Sequence, residues 1–231
     1  MKKRLAALAL VFAMAAQAGN RDAHPPKQPD VTARYLSRDF APLLVPRSLF
    51  IGFIGSDFQR LKIHFASVTK DAANPRLYHL TGTSEVKANR CALDGSITVT
   101  RLTGAKTGII RDEDGKDVGV RFEGSLYGRY EIKENGLAAV CGAFRGTLQL
   151  DWAIDRTGTL VIDDVDAVSD GYGNNQYEGT WSLGSKSKTA NWGEYRVPAS
   201  QGLDCGAGEF APCDSYNDKG WADYRPQKWV P

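Results

Sequence analysis

The sequence predicts an all-β protein, a single antiparallel meander that forms a closed or strongly curled barrel with a disulfide-tied C-terminal layer of loops. Three observations support this prediction. From about residue 57 to about residue 188, apolar residues recur with a period of two, as Leu61, Ile63 and Phe65 do. A glycine flanked by apolar residues recurs along these strands. The chain from about residue 190 loses the alternation and carries two cysteines.

The N-terminus has the three parts of a signal peptide, which we assign to residues 1–18. Lysine and arginine occupy positions 2–4, an apolar run covers positions 5–16, and small residues stand at Ala16 and Ala18. The run is too short for a permanent membrane span, although it could also be a buried N-terminal helix. We expect cleavage after Ala18 and export to the periplasm or the medium. The residue directly after this point is Gly19 and not a cysteine, so we expect no lipid anchor there.

The next segment, residues 19–56, is predicted to be a flexible leader. Residues 19–30 are polar and rich in proline, and residues 31–40 could form one short helix that stops before Pro42. The barrel domain is then expected over residues 57–231.

The charge balance gives no indication of nucleic acid as a partner. The chain has 29 Lys and Arg against 27 Asp and Glu, and the cleaved segment would remove Lys2, Lys3 and Arg4. The remainder is almost neutral and shows no clustered basic stretch. We predict no transmembrane segment in the mature chain and no cofactor, and the partner is an unknown ligand or protein.

Four cysteines in an exported chain favour disulfides. Of the three possible connectivities we favour Cys205–Cys213, because a short loop can bring its ends together at little entropic cost. Cys91–Cys141 is then the second bridge. The three histidines do not have ligand spacing beside any cysteine, so no metal site is predicted.

The recurrent strand glycines indicate strong coiling of the sheet. They are Gly82, Gly95, Gly124, Gly146 and Gly179. An alternative is that another group approaches the backbone closely at these positions.

The hairpin around Asn135-Gly136 allows a prediction of register. The apolar faces of both its strands use even-numbered residues, which excludes a two-residue turn. A three-residue loop with Gly136 in the left-handed conformation would place Phe122 opposite Leu148. The same register would pair Gly124 with Gly146 and Gly128 with Gly142. Two such facing pairs would leave a furrow, which we attribute to strong coiling; the alternative is entry of a ligand or of side chains.

In architecture the sequence resembles the calycin-like barrels, which include lipocalins and avidins and whose inner face can hold a small ligand. The lipocalin Gly-x-Trp signature belongs to the first strand, whereas here Gly179-Thr180-Trp181 is near the end of the meander. The last three quarters of the chain also resemble a group of exported bacterial proteins of unknown function. The shared motifs include Asp170-Gly171-Tyr172, Asn191-Trp192-Gly193 and the stretch 203–210. This second resemblance implies no activity.

Motifs of common hydrolases are absent from the sequence: it has no G-x-S-x-G and no H-E-x-x-H. By alternation His64 and His79 are expected on the solvated side of their strands, and His24 lies in the leader. A histidine-based hydrolase is therefore not predicted.

Carboxylates are densest in one short stretch, which contains Asp163, Asp164, Asp166 and Asp170. By strand alternation Asp163 should point to one face and Asp164 and Asp166 to the other, so at least one should point inward. A buried carboxylate can be a structural anchor, an acid with a shifted pKa or an oxygen ligand for a cation. We expect the anchor.

The predicted binding site combines this acidic stretch with the polar loop that follows it, residues 171–176, and with the start of the aromatic C-terminal segment. Its other members are Asn174, Asn175, Gln176, Asn191, Trp192, Tyr195 and Arg196. Arg196 is the expected partner of a buried carboxylate. The aromatic segment is expected to close one end of the barrel; the alternative is that it binds sugars or peptides at a surface.

We therefore expect a non-catalytic exported protein that binds a small ligand, a glycan or another protein. One alternative is an enzyme acting on a carbohydrate-like substrate through two carboxylates, with Asp170, Asp204 and Glu209 as candidates. Another is a structural envelope protein without a pocket.

Overall fold

The computed structural model describes residues 28–136, 140–167, 169 and 171–225. The predicted signal peptide and His24 lie outside these ranges. Within these ranges, nine strands form one antiparallel sheet. They are β1 Ile51–Ile54, β2 Gln59–Lys70, β3 Leu77–Val86, β4 Asn89–Lys106, β5 Val120–Asn135, β6 Ala143–Asp155, β7 Leu160–Ile162, β8 Asn174–Leu183 and β9 Lys186–Glu194.

The sheet closes on itself and so forms the barrel that the sequence predicts. β1 to β6 pair in chain order. β1 also pairs with β9, β9 pairs with β8, and β8 pairs with β6, which completes the ring. β7 is a short addition outside the ring, paired with β6. Closure leaves no long unpaired edge in the ring, which removes the usual route to edge-to-edge aggregation.

Alternation places the predicted apolar faces inside the barrel. Even-numbered residues of β5 and β6, among them Phe122, Leu126, Phe144 and Leu148, are buried. Val118 and Val140, which share this parity, are 38% and 41% exposed because both lie outside the strands. His64 and His79 are exposed, as expected from the same alternation.

The barrel axis is filled with aromatic side chains. Trp192 stacks on Tyr177 with 5.0 Å between ring centroids, and Tyr130 lies 5.1 Å from Trp192. All three are at most 1% exposed. Trp192 was expected in the binding site, but β9 points it into this core.

The described part of the leader plugs one end of the barrel. Two short helices, α1 Thr32–Tyr35 and α2 Ala41–Leu44, replace the single helix expected over residues 31–40, and Pro42 lies in the first turn of α2. Tyr35 and Phe40 each pack edge-on against Trp152. Both rings are buried, so this segment belongs to the barrel core. The barrel itself begins at β1, before the expected boundary at residue 57.

The C-terminal aromatic segment covers the outside of the barrel wall. The sequence-based expectation was that it would close one end of the barrel. Ile51 and Phe53 of β1 point outward and are buried by a second apolar cluster. Its other buried members are Val197, Leu203, Phe210, Trp221 and Tyr224. A 3₁₀ helix, Asp214–Lys219, lies within this layer. Apolar residues on both faces of β1 explain why all four of its residues are buried.

Both predicted disulfides are present: Cys91–Cys141 ties β4 to the β5–β6 connection, and Cys205–Cys213 closes a loop within the C-terminal layer. None of the helices in the described ranges is long and apolar enough to cross a membrane.

The predicted register of the β5–β6 hairpin is wrong. Phe122 lies opposite Ile154, although even residues still face even residues. The expected glycine pairs are therefore not formed, since Gly124 faces Trp152 and Gly128 faces Leu148. Gly136 does not have a positive φ.

The cause of this shift is a longer connection held by the Glu134 side chain. Its carboxylate accepts hydrogen bonds from the Gly142 backbone N–H and the Trp181 indole N–H, both at 2.7 Å, and from the Ser84 hydroxyl. β6 therefore starts only at Ala143. The disulfide from Cys141 to β4 holds the same connection.

Glycines do face each other, but across other strand pairs. Gly146 lies opposite Gly179 and Gly104 opposite Gly124. A Cβ at Gly146 would lie 2.7 Å from the Tyr130 hydroxyl. These glycines thus make room for aromatic rings of the core.

Candidate functional site

The polar loop at the start of β8 is a tightly bonded anchor. The Asn174 side chain accepts a hydrogen bond from the Asp151 N–H at 2.8 Å and donates to the carbonyls of Asp151 and Asp163. Asn175 has φ +49° at a register shift in β8, and its amide donates to the Leu44 carbonyl at 3.2 Å. Both asparagines are buried, so they fasten the strand to its surroundings.

The buried carboxylate of this region is Glu194, which sequence reasoning missed. It is 2% exposed and accepts hydrogen bonds from the backbone N–H groups of Arg47 and Ser48, at 2.9 and 3.1 Å. Asn175 donates to its other oxygen at 3.3 Å. Burial raises the pKa of Glu194 despite these bonds. Only the tertiary structure reveals this role, because the donors come from the segment after α2.

The expected partnership between Arg196 and the acidic stretch is not found among the described residues. Arg196 pairs with Asp204 at 2.6 Å and donates to the Gly208 carbonyl. Asp164 pairs instead with Arg47, at 2.7 Å. Both contacts of the Arg196 guanidinium tie it to the C-terminal loop that contains Asp204.

The acidic stretch is mostly a loop, because β7 ends at Ile162 and alternation does not continue through the aspartates. Asp163 is partly buried, Asp164 is ion-paired and Asp166 is exposed. Asp170 lies outside the described residues. Burial first, and then the charges of Glu123, Asp151 and Asp166, raise the pKa of Asp163 to about 7.

The remaining predicted site residues have structural contacts. Asn191 accepts from the Gly179 N–H and donates to the Pro198 carbonyl, both at 3.1 Å. The Tyr195 ring lies 5.3 Å from that of Tyr172.

The two other candidate carboxylates of the enzyme alternative belong to one C-terminal loop. Asp204 is fully engaged: one oxygen accepts from the N–H groups of Gly206 and Ala211, and the other binds Arg196. Glu209 is exposed. Within the described ranges, no three His, Cys, Asp or Glu side chains gather so that they could hold a metal ion.

A groove of 620 Å³ lies on the outer face of β5, β6 and β8, beside the polar loop. Gly173, Asn174 and Pro198 contribute to its lining, so it borders the region that the sequence indicated. The aromatic and charged or amide side chains that line it are Tyr127, Arg129, Gln149, Asp151, Gln176 and Glu178. We call it the polar groove.

Strand register arranges these side chains in two rows. Tyr127 of β5 lies opposite Gln149 of β6, which lies opposite Gln176 of β8. The second row follows two residues away along each strand, and it contains Arg129, Thr147 and Glu178. With strands about 4.8 Å apart, each row spans about 10 Å.

Neighbouring contacts fix the groove. The Thr100 hydroxyl, at a register shift in β4, donates to the Tyr127 carbonyl at 3.0 Å. The Gln176 amide nitrogen donates to the Arg196 carbonyl at 2.8 Å. Gln149 donates to Asp151 at 3.1 Å.

Of the predicted site residues that the structure describes, only Asn174 and Gln176 line this groove. The sequence did not indicate Tyr127, Arg129 and Gln149, because their outward faces carry no apolar pattern or motif. Their odd, outward positions could have been identified from alternation, but the row that joins them depends on the register of three strands.

The fold is thus that of a closed antiparallel β-barrel with an N-terminal plug and an external C-terminal layer. Comparison with protein-family models, curated proteins and solved structures finds no match.

Proposed function

We propose that the protein is an exported, non-catalytic glycan-binding protein and that the polar groove holds a neutral oligosaccharide. The main support for this proposal is the row across three strands in which the Tyr127 ring lies beside the amide groups of Gln149 and Gln176. Amide groups both donate and accept hydrogen bonds. The predicted signal peptide and the two disulfides support export.

The chemistry of the groove fits a sugar better than an apolar ligand. Sugars present hydroxyl groups that donate and accept, together with a flat patch of C–H groups that packs on an aromatic face. Amide and carboxylate side chains, here Gln149, Asp151 and Glu178, satisfy such hydroxyls. Arg129 offsets part of the negative charge, which favours a ligand without net charge.

The calycin-like resemblance would place a ligand inside the barrel instead. The aromatic rings that occupy the axis, Tyr130, Tyr177 and Trp192, favour the outer groove over an inner pocket. A glycan-binding role on the outer face needs no opening of the barrel.

The test is titration with neutral oligosaccharides of several linkage types, followed by calorimetry and by NMR. We expect at least one series to bind and to shift resonances of β5, β6 and β8. Tyr127→Ala should weaken binding at least about tenfold, which corresponds to about 1.4 kcal/mol. Tyr127→Phe keeps the ring and should keep most of the affinity.

A groove that binds none of these sugars, or a Tyr127→Ala variant with unchanged affinity, would contradict the proposal. The same samples, analysed for shortened products, test the carboxylate enzyme. Product formation that Asp151→Asn abolishes would replace the binding protein by an enzyme that uses a carboxylate of the groove, rather than Asp170, Asp204 or Glu209.

A further inference from the structure

A second cavity, which we call the basic pocket, opens at the plugged end of the barrel. It has a volume of 530 Å³ and lies between α1 and the ends of β4, β5 and β6. Four cationic side chains line it: Arg34, Arg38, Lys106 and Arg121. No carboxylate is among its lining residues.

Little of this positive charge is neutralised within the described residues. Arg121 is paired with Asp117 at 2.9 Å. Arg38 donates to the Gly158 carbonyl at 2.8 Å, a contact that leaves its charge uncompensated. Arg34 and Lys106 have no ion pair with any carboxylate that the structure describes. Three cations without a carboxylate partner therefore face one concave space, where their fields add.

The floor of the basic pocket is apolar. It consists of Tyr35, Phe122 and Ile154, and the rings of Tyr35 and Phe122 are 5.1 Å apart. The Arg34 guanidinium lies over the Tyr35 ring, 5.0 Å from its centroid, which holds the cation at the rim. A cationic rim above an aromatic floor suits an anion attached to an apolar or ring-shaped group.

From this geometry we infer that the basic pocket binds a phosphate group carried by a molecule with an apolar or ring portion. Guanidinium groups match the oxygens of phosphate in geometry and charge, and lysine adds a mobile point charge. The site is distinct from the polar groove in position, and its strong positive charge contrasts with the mixed charge there.

Two sources could supply such a group, a soluble phosphate monoester and an anionic lipid headgroup. The loop between β4 and β5 follows directly on Lys106 and presents Ile109, which is 62% exposed. An apolar side chain beside a basic pocket is suited to a lipid surface, so both sources need their own measurement.

The first measurement uses phenyl phosphate and inorganic phosphate with the whole protein. We expect phenyl phosphate to bind more tightly, because its ring covers the floor, and to shift resonances of α1 and the start of β5. The second uses vesicles of phosphatidylcholine with and without phosphatidylglycerol, in a sedimentation assay. Binding to the anionic vesicles alone would identify the lipid headgroup as the source.

The pocket variant Arg34→Gln/Lys106→Gln removes two exposed cations. It should weaken binding of whichever probe the parent protein binds, phenyl phosphate or the anionic vesicles, at least tenfold. The control variant Lys133→Gln/Lys186→Gln removes the same charge from exposed positions elsewhere and should leave binding unchanged. Equal losses in both variants, or no binding of phenyl phosphate and of anionic vesicles, would overturn the inference. Neither result bears on oligosaccharide binding by the polar groove.

Discussion

At the residue scale, the buried and half-buried carboxylates are held in different ways. Glu194 is surrounded by backbone N–H donors, and Glu134 organises the β5–β6 connection. Asp163 has a single N–H donor, from Val165 at 3.3 Å, and is surrounded by other carboxylates. It is therefore the side chain whose ionisation opposes folding most clearly.

Asp163 should make the protein less stable as the pH rises. Its pKa is about 7 in the folded state and near 3.8 when unfolded, so the folded state binds more protons between these values. Stability from this group is complete below about pH 4 and is lost as the pH approaches and passes 7. Asp163→Asn should stabilise the protein at pH 8 by on the order of 1 kcal/mol, since the side chain is only partly shielded from water.

The measurement is urea unfolding of both proteins at pH 8 and at pH 4.5, where the gain should nearly vanish. Asp94→Asn, at an exposed position on β4, is the matched control and should have the same small effect at both pH values. A gain from Asp163→Asn that does not depend on pH would refute the assignment.

At the element scale, the glycine pairs allow neighbouring strands to carry large rings inward. Gly179 faces Gly146 between β8 and β6, and the Tyr130 hydroxyl reaches over both. β6 is paired on both sides, by β5 and β8, so its backbone cannot move away from a new side chain. The inner wall tolerates no Cβ at this place.

Gly179→Ala should therefore destabilise the barrel by about 2–3 kcal/mol. The new methyl group would collide with the Arg145 carbonyl and lie 2.5 Å from the Tyr130 hydroxyl. Thermal and urea unfolding measure the loss. Gly108→Ala, where nothing lies within 4 Å of the new atom, is the control, and it should remain within about 0.5 kcal/mol of the parent. Equal stability of the two variants would show that the wall can adjust.

At the scale of the whole molecule, two apolar clusters are arranged on either side of β1. The inner cluster fills the barrel and includes the N-terminal plug, and the outer one joins the C-terminal layer to the wall. Arg60 of β2 strengthens the outer junction, since its guanidinium lies 5.4 Å from the Trp221 ring and bonds Asp223 at 2.6 Å. Because the two clusters are separate, we expect that the layer can loosen without opening the barrel.

Removing the two disulfides separately should show this division. Cys91–Cys141 spans 50 residues and ties two parts of the barrel, so its replacement by serine should cost about 4 kcal/mol of global stability. Cys205–Cys213 spans 8 residues within the outer layer, and its loss should cost about 2.5 kcal/mol and act locally. Hydrogen exchange should then rise in residues 197–225 and stay low in β2 to β6. Faster exchange throughout the barrel in the second variant would contradict the division.

The sequence by itself determined the features that depend on neighbouring residues. Alternation identified the inward faces of β5 and β6 and the outward position of His79, because successive side chains of a strand point to opposite sides. The spacing of Cys205 and Cys213 indicated their bridge, since a short loop closes at little cost.

Only the tertiary structure decided the features that depend on distant partners. Phe122 meets Ile154 because the Glu134 carboxylate and the Cys141 bridge hold a longer connection, and alternation fixes parity but not that length. The aromatic C-terminal segment covers β1 because Ile51 and Phe53 offer it an outward apolar surface. The polar groove joins Tyr127, Gln149 and Gln176 from three strands, and such a row exists only once long-range pairing has set the register of all three.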